Sequence, residues 1–354
     1  MTLFKRMSVG LFLGANICTI LLLWLCVALT FMPPALLPRL SLLTLAFPVL
    51  LCVNLLFIAF WLIFKARLAW IPIAGTLLIG GYVLDYCPLN LSSNNSRETT
   101  DSTLTIITYN VGYINGNAEK QAELLRFLST ANADIVCLQE LSTTFLADHK
   151  TWLDTTSYHS LQSSNVTILS RLHFLGDTIH IDYPTRTNHS IACWIDCYGD
   201  SLLLVNNHLE SNHLSPEERD EYTNAITDPK RQAIKNSSKM LLSKLSEAAA
   251  YRGAQAESIR SLVKRNADHE AIVCGDLNET PISYTYQRLA RCLTSAYREA
   301  GCGPGFTFNQ RSFPVRIDHL FHSAGWTCSD CRIDHSISTS DHYPLVVRLS
   351  KKVR

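Results

Sequence analysis

The first 90 residues contain six charged side chains, Lys5, Arg6, Arg39, Lys65, Arg67 and Asp85. Residues 8–32 (SVGLFLGANICTILLLWLCVALTFM) and 40–64 (LSLLTLAFPVLLCVNLLFIAFWLIF) carry no charge at all. Residues 68–84 form a shorter uncharged run with Pro72 near its start. A helix crosses the bilayer core with about 20 apolar residues, so the first two runs are long enough to span and the third is marginal. The competing reading is a signal peptide followed by a buried hairpin. A signal h-region reaches only about 15 residues, and the second run is itself of spanning length. Lys5 and Arg6 precede the first run and Lys65 and Arg67 follow the second, whereas the first loop holds only Arg39. The excess of basic residues in cytoplasmic loops then places the N-terminus and the second loop in the cytoplasm. Three spans put everything after Leu84 outside the cytoplasmic membrane; two spans would leave it inside. No Lys, Arg, Asp or Glu sits at the centre of a span, so no transport path is indicated.

The rest of the chain has a different composition. Removing those five cations and one acid from totals of 31 and 30 leaves 26 basic and 29 acidic residues in 91–354. That balance argues against a dedicated nucleic-acid binder, which carries a basic stripe. A metal-dependent nuclease stays open, because a cation can supply the local positive charge. Residues 91–102 (LSSNNSRETTDS) read as a polar linker between a membrane anchor (1–90) and a catalytic domain (103–354). From residue 103, β-rich runs such as LTIITYNV, DIVCLQE and SLLLVNNHLES alternate with helical stretches. Residues 216–266 are helical in pattern, with apolar faces at Met240, Leu241, Leu245, Ala248, Ala249, Ile259, Leu262 and Val263. Two sheets packed face to face with helices outside fit this order. Cys137 and Cys274 read as buried thiols. Cys193 with Cys197, Cys292 with Cys302, and Cys328 with Cys331 are candidate bridges outside the cell. The single CSDC has no second pair to make a zinc site.

Six strand-like runs share a polar end. They finish at Asn110, at Gln139–Glu140, in Asn206–Asn207–His208 with Glu210, at Asp276 and Asn278, at Asp318–His319, and at Asp341–His342. Any one of these is also what an ordinary turn uses. Strand side chains alternate, so Asp276 and Asn278 face the same side if the strand continues through them. Carboxylates and amides with histidines make a site for a hard metal and for acid–base chemistry, not for a thiolate-bound zinc.

The runs YNVG, LQE, ILSR, NNHLES, GDLNETP, RIDHLF and SDHYPL occur in an order that resembles the endonuclease/exonuclease/phosphatase superfamily, the deoxyribonuclease I-like group, in a membrane-anchored bacterial-type form. GDLN and SDH are the most specific of them. The resemblance covers about 103–349 and none of 1–90. It implies a four-layer α/β sandwich of two facing, mostly antiparallel sheets with outer helices, here preceded by N-terminal transmembrane helices. It also implies hydrolysis of a phosphodiester or phosphomonoester by metal-assisted in-line attack of water, with Mg²⁺ or Mn²⁺.

By motif, the resemblance implies that Glu140 is the principal metal carboxylate, with Asn110 and Asp341 as nearby metal-site or water-organising groups. Asp276 looks like the residue that orients or deprotonates the attacking water, and Asn278 like a donor to the phosphoryl group. His342 is similar to the family's site histidine, Asp318 to the acid that holds it, and His208 to the histidine that contacts phosphate or assists the leaving group. Whether Asp276 or His342 is the base stays open. Gly112 stands where some relatives carry an acid, which weakens the case for a second metal. Arg171 and His319 read as structural, and Asn207 and Glu210 as supporting or solvated. The substrate implied is a lipid head group, a sugar phosphate or a nucleic acid, with the membrane reached through the N-terminal helices. The alternatives are a surface nuclease of the same fold and a non-catalytic binding or sensor protein that keeps it.

Overall fold

The computed structural model describes residues 3–90, 102–212, 234–309 and 314–352. The expected linker, apart from Ser102, and the start of the expected helical stretch therefore lie outside the described residues. The N-terminal part is α1 (Leu3–Leu29), α2 (Pro38–Ser41) with a 3₁₀ turn (Leu42–Ala46), α3 (Phe47–Phe64), α4 (Trp70–Leu77) and α5 (Gly80–Tyr86). Prolines open α2 and α3 at the first turn, where a missing N–H costs nothing. Two stretches, Arg6–Leu29 and Pro38–Phe64, are apolar and long enough to cross a membrane, yet only 28% and 22% of their most apolar windows are buried. Their outward faces, at Leu11, Leu56, Ile63 and Phe64 among others, are oily surfaces of the kind a bilayer solvates. The third run is not one straight helix: its two halves bend by 68° at the break before Gly80 and Gly81, residues that weaken a helix.

Inside this bundle the helices are joined by amides. Asn16 Nδ2 donates to Asn54 Oδ1 at 3.1 Å, Trp61 Nε1 to Asn16 Oδ1 at 3.1 Å, and Asn54 Nδ2 to Thr76 Oγ1 at 2.7 Å. Both asparagines are fully buried. Such bonds between helices contribute roughly 1 kcal/mol each in a membrane, and they specify which faces meet.

Among the described residues twelve strands build the sandwich: β1 (Thr103–Asn110), β2 (Ile135–Gln139), β3 (His159–Ser163), β4 (Val166–Ser170), β5 (Phe174–Ile179), β6 (Ser190–Cys197), β7 (Asp200–His208), β8 (Glu270–Asp276), β9 (Thr294–Ser295), β10 (Asp318–His322), β11 (Trp326–Ile333) and β12 (Leu345–Lys351). One sheet has the order β11-β12-β1-β2-β4-β3 and the other β5-β6-β7-β8-β10-β9. Pairing is antiparallel except for β1 with β2 and β7 with β8. The helices are α6 (Ala118–Ala131), α7 (Phe145–Asp148), α8 (Lys150–Thr155), α9 (Ile234–Arg265), α10 (Tyr284–Ala290) and α11 (Ala296–Ala300). Leu104, Ile106, Cys137, Leu204, Ile272 and Cys274 meet between the sheets. Tyr109, Val136 and Leu138 turn outward against Leu124, Phe127 and Leu128 of α6, while Leu203, Val205 and Val273 turn outward against Ile259, Leu262 and Val263 of α9. This is the expected four-layer α/β sandwich.

All twelve cysteines are free thiols. Cys193 and Cys197 lie along one strand, about 13 Å apart at 3.3 Å per residue, which no disulfide spans.

The bundle and sandwich are fastened together. Asp85, 6% exposed, accepts hydrogen bonds from Arg298 and from Gln287 Nε2 (2.8 Å). Arg316 donates to the carbonyls of Asp85 and Tyr86. Arg291 stacks 4.0 Å over the Phe31 ring, and Gly253 of α9 lets Pro34 approach to where a Cβ would meet it at 2.9 Å. Ile282, in the loop that leaves β8, is buried among Leu23, Val27 and Phe47 of the bundle. Asp85→Ala would take the acceptor from the buried Gln287 amide and release the part-exposed Arg298, and a loss of about 1–3 kcal/mol is expected in denaturant unfolding of the full chain. Asp200→Ala, which removes an exposed pair with Lys351, should cost less than about 1 kcal/mol.

Candidate active site

The inward rows of the sandwich run on past their apolar residues into polar ones. Leu104 and Ile106 lead to Asn110; Ile135 and Cys137 to Gln139; Leu202 and Leu204 to Asn206 and His208; Ile272 and Cys274 to Asp276. Pairing brings the ends level. Asn110 lies opposite Gln139 in one sheet, while Asp276 lies opposite both His208 and Asp318 in the other. Gln139 and Asn206 are tied across the sandwich at 2.6 Å. Gly275 permits the last step of β8: at φ +125° a Cβ there would sit 2.0 Å from the Asn207 carbonyl oxygen.

Asn110 Nδ2 donates to Glu140 Oε1 at 3.2 Å and to Asp276 Oδ2 at 3.0 Å, joining the two acids. Its Oδ1 accepts the Gly112 N–H at 3.1 Å. His342 Nδ1 meets Asp318 Oδ2 at 2.8 Å, and its Nε2 lies 3.8 Å from Asp276 Oδ2. Phe308 packs edge-on against that imidazole at 5.0 Å. His208 Nε2 lies 3.5 Å from Glu140 and 3.9 Å from Asp276, buried behind them. Asp341 stands beside Gly112 and accepts from Ser340 Oγ at 3.4 Å. The structure thus brings all eight sequence-derived site residues to one end of the sandwich.

Four of them arrive by a route strand alternation does not describe: Asp341 and His342 stand in the segment before β12 and do not end a strand, and Glu140 and Asn278 follow strand ends. Glu140 follows the end of β2 in the left-handed region at φ +60°, which turns its side chain out of the strand. A non-glycine residue there is uncommon and costs backbone strain that the surroundings must hold. β8 ends at Asp276, so Asn278 does not share its face by period two. Asn278 is left-handed at φ +51° in a turn closed by its N–H on Asp276 Oδ1 at 2.8 Å. One N–H of its amide is given to the Leu209 carbonyl at 3.0 Å.

Other polar residues of the motifs are structural. Asn207 donates to the Cys274 carbonyl, Glu210 accepts from Thr185 and the Arg186 N–H, and Arg171 bonds Asn132. His319 Nε2 donates to the Glu279 carbonyl at 2.9 Å, and burial pushes its pKa down to about 3, so it stays neutral.

A cleft of about 430 Å³ opens over Glu140, Asp276, Asn278, Asp341 and His342. Sequence reasoning missed its other walls. Leu245, Ala249 and Arg252 of α9 form one, and the segment from Leu29 to Leu45 between α1 and α3 forms another. Nothing local in the sequence marks these residues, because they reach the site only through tertiary docking. The carboxylates of Glu140, Asp276 and Asp341 offer hard oxygen donors at the cleft, and no thiol is among its described lining residues. Asp276, Asp318 and His342 also present ligand atoms within 4.8 Å of one another. That donor set fits Mg²⁺ or Mn²⁺.

Electrostatics in this buried corner are coupled. Burial, then the charge of Asp318, raises the Asp276 pKa to about 7, against the opposing pull of His342 and two N–H donors. Burial disfavours the charged form of His342, but Asp318 beside it overcomes this and raises its pKa to about 10. Asp318, despite its burial, is held below the usual carboxylate range by His342.

Residues 107–342 match the model of the Endonuclease/Exonuclease/phosphatase family, and residues 9–86 match one described as a domain of unknown function. No curated protein matches. Among solved structures, D. rerio TDP2 humanized by 14 mutations is similar at 19% identity and TM-score 0.52, over 71% of this chain and 100% of that one. The human Nocturnin catalytic domain with bound sulfate anion gives 17% and 0.51, over 71% and 95%. An endonuclease/exonuclease/phosphatase from Bacteroides vulgatus gives 17% and 0.52, over 71% and 99%. At these identities the likeness is one of fold.

The His342–Asp318 pair sets a pH dependence. The folded chain keeps a proton on His342 that the unfolded chain releases near pH 6.5. The stability this supplies is complete below pH 6.5 and is lost as the pH rises to about 10. Metal-free wild type should therefore lose stability from pH 6.5 to 10 in denaturant unfolding, and His342→Gln should flatten that slope. An equal slope in both proteins would show that the pair does not hold the proton.

Proposed function

The chain belongs to the Endonuclease/Exonuclease/phosphatase family, and on that premise we propose that it is a membrane-tethered phosphoester hydrolase that uses Mg²⁺ or Mn²⁺. The observation that carries the reading is the setting of Asp276, a buried carboxylate bonded to Asn110 and facing His342 on one side and Glu140 on the other. A bound divalent cation would neutralise the non-bridging phosphoryl oxygens, whose charge otherwise repels a nucleophile. Glu140 is the residue to hold it, with Asp341 and Asn110 beside it.

Asp276 orients the attacking water. The water oxygen bonds to phosphorus as the bond to the ester oxygen breaks; one water proton passes to Asp276, since His342 already carries its own, and the leaving oxygen takes a proton in turn. Asp318 fixes the tautomer of His342 and stabilises its cation. Asn278 has a second amide N–H for a phosphoryl oxygen and does not titrate. His208, buried behind Glu140 and Asp276, acts on the leaving group through those two carboxylates.

The anchor is residues 1–90, joined by 91–102 to the catalytic domain, 103–354. Its orientation is supported by where the domain sits. Arg291 and Gly253 touch Phe31 and Pro34, which lie in the loop between the two long apolar helices. A domain seated on that loop is across the membrane from Lys5 and Arg6, hence outside by the distribution of basic residues. The bent pair α4–α5 then makes the third crossing.

Purified full chain should hydrolyse bis-p-nitrophenyl phosphate or p-nitrophenyl phosphate with Mg²⁺ or Mn²⁺ and stop in EDTA. Asp276→Asn should lower kcat by roughly 10²–10⁴-fold. Metal-independent turnover, or a variant as active as wild type, would refute the mechanism. An alkaline phosphatase fused after Ser102 should be active, as only an exported fusion is; an inactive fusion would place the domain in the cytoplasm.

A further inference from the structure

The cleft over the site has two chemically distinct halves. One end presents Glu140, Asp276, Asn278, Asp341 and His342. The other is walled by Leu29, Pro34, Leu42 and Leu45, with Leu245 and Ala249 of α9 facing them. Leu29 ends the first long apolar helix, and Leu42 and Leu45 lie within the second apolar stretch, Pro38–Phe64. The apolar half of the cleft is therefore built from the same segments that qualify as membrane spans. In the same loop Phe31, Met32, Leu36 and Leu40 are exposed, so oily side chains flank the segment that, with Ser41 and Thr44, walls the cleft.

The charges lining the cleft point the same way. Among the described residues, Arg252 is its one guanidinium, and it is bonded to Glu279 at 2.9 Å and to the Glu210 carbonyl at 2.9 Å. Glu140, Asp276, Glu279 and Asp341 make the lining acidic. A strand of nucleic acid needs several cations along its path. A single phosphate needs only a metal-bound end.

We propose that the loop between α1 and α3 is a substrate-binding element, and that the substrate is a membrane lipid phosphoester. Its phosphate lies at Asp276 and Asn278, and its apolar chain lies along Leu29, Leu42 and Leu45. This rests on the phosphoesterase reading of the same site. The lipid enters from the bilayer surface beside the loop, without leaving apolar surroundings.

The test uses the full chain in nanodiscs with Mg²⁺ and p-nitrophenyl alkyl phosphate diesters bearing ethyl, octyl and hexadecyl chains. Release of p-nitrophenolate is followed. Wild type should show kcat/KM for the hexadecyl ester at least roughly 50-fold above the ethyl ester, because the long chain is held in the bilayer beside the loop while the ethyl chain stays in water, a difference of about 0.8 kcal/mol per methylene. The double variant Leu42→Gln/Leu45→Gln should lose at least about tenfold of that ratio, and Leu245→Gln, across the cleft, should lower it too. Using the ratio within one preparation removes differences in folded fraction. Co-localisation of lipid with any membrane enzyme is equal in wild type and variants, so only the wall changes the ratio.

A wild-type ratio near one, or a ratio unchanged in both variants, overturns the proposal. So does a single-stranded oligonucleotide cleaved with a higher kcat/KM than the hexadecyl ester. No turnover of any ester, the ethyl one included, overturns the phosphoesterase reading itself.

Discussion

Asp276 and Asp318 occupy directly paired positions on neighbouring strands, both almost without access to water. Two like charges so placed repel, and burial penalises each of them further. The molecule keeps them there by surrounding them with partners. His342 lies between them, Asn110 reaches Asp276 from the opposite sheet, and the turn at Asn278 closes on its other oxygen. Each partner comes from a different element, so the corner exists only if both sheets hold their register. Gly275, against the Asn207 carbonyl, and the Gln139–Asn206 tie across the sandwich belong to the same requirement.

That origin explains what the sequence reveals. Asn110, His208, Asp276 and Asp318 were legible because each continues a row of alternating apolar residues into a polar one, and the sheets preserve alternation. The layer order was legible for the same reason, with Tyr109 and Val273 turning outward to helices where Ile106 and Ile272 turn inward. Glu140 and Asn278 were legible by type, but their placement was not. Each leaves its strand through a left-handed residue, a backbone state set by what closes around it. The bend between α4 and α5 and the free state of the cysteine pairs also depend on three-dimensional spacing that composition does not carry. The cleft wall at Leu42 and Leu45 was beyond sequence reasoning, since residues more than 200 positions apart meet there.

The N-terminal bundle contributes to the shape of the site. The loop leaving β8 carries Asn278 and Glu279, is pinned by Arg252, and ends with Ile282 buried among bundle side chains. Asp85, the one acid of the first 90 residues, is committed to Arg298 and Gln287. Removing the bundle would expose Ile282, unpair these groups and take away one wall of the cleft. The sandwich cut out alone is therefore a different molecule from the whole chain.

The amides of Asn16 and Asn54 bear on this arrangement. Hydrocarbon tails contact one leucine as well as another, so oily helices have little reason to settle at one rotation about their own axes. A bond from Asn16 to Asn54, with Trp61 and Thr76 joined to it, can be made at one rotational phase only. It indexes α1 against α3 in the way a key indexes a shaft. The loop that joins those helices inherits that phase, and so Leu42 and Leu45 face the cleft.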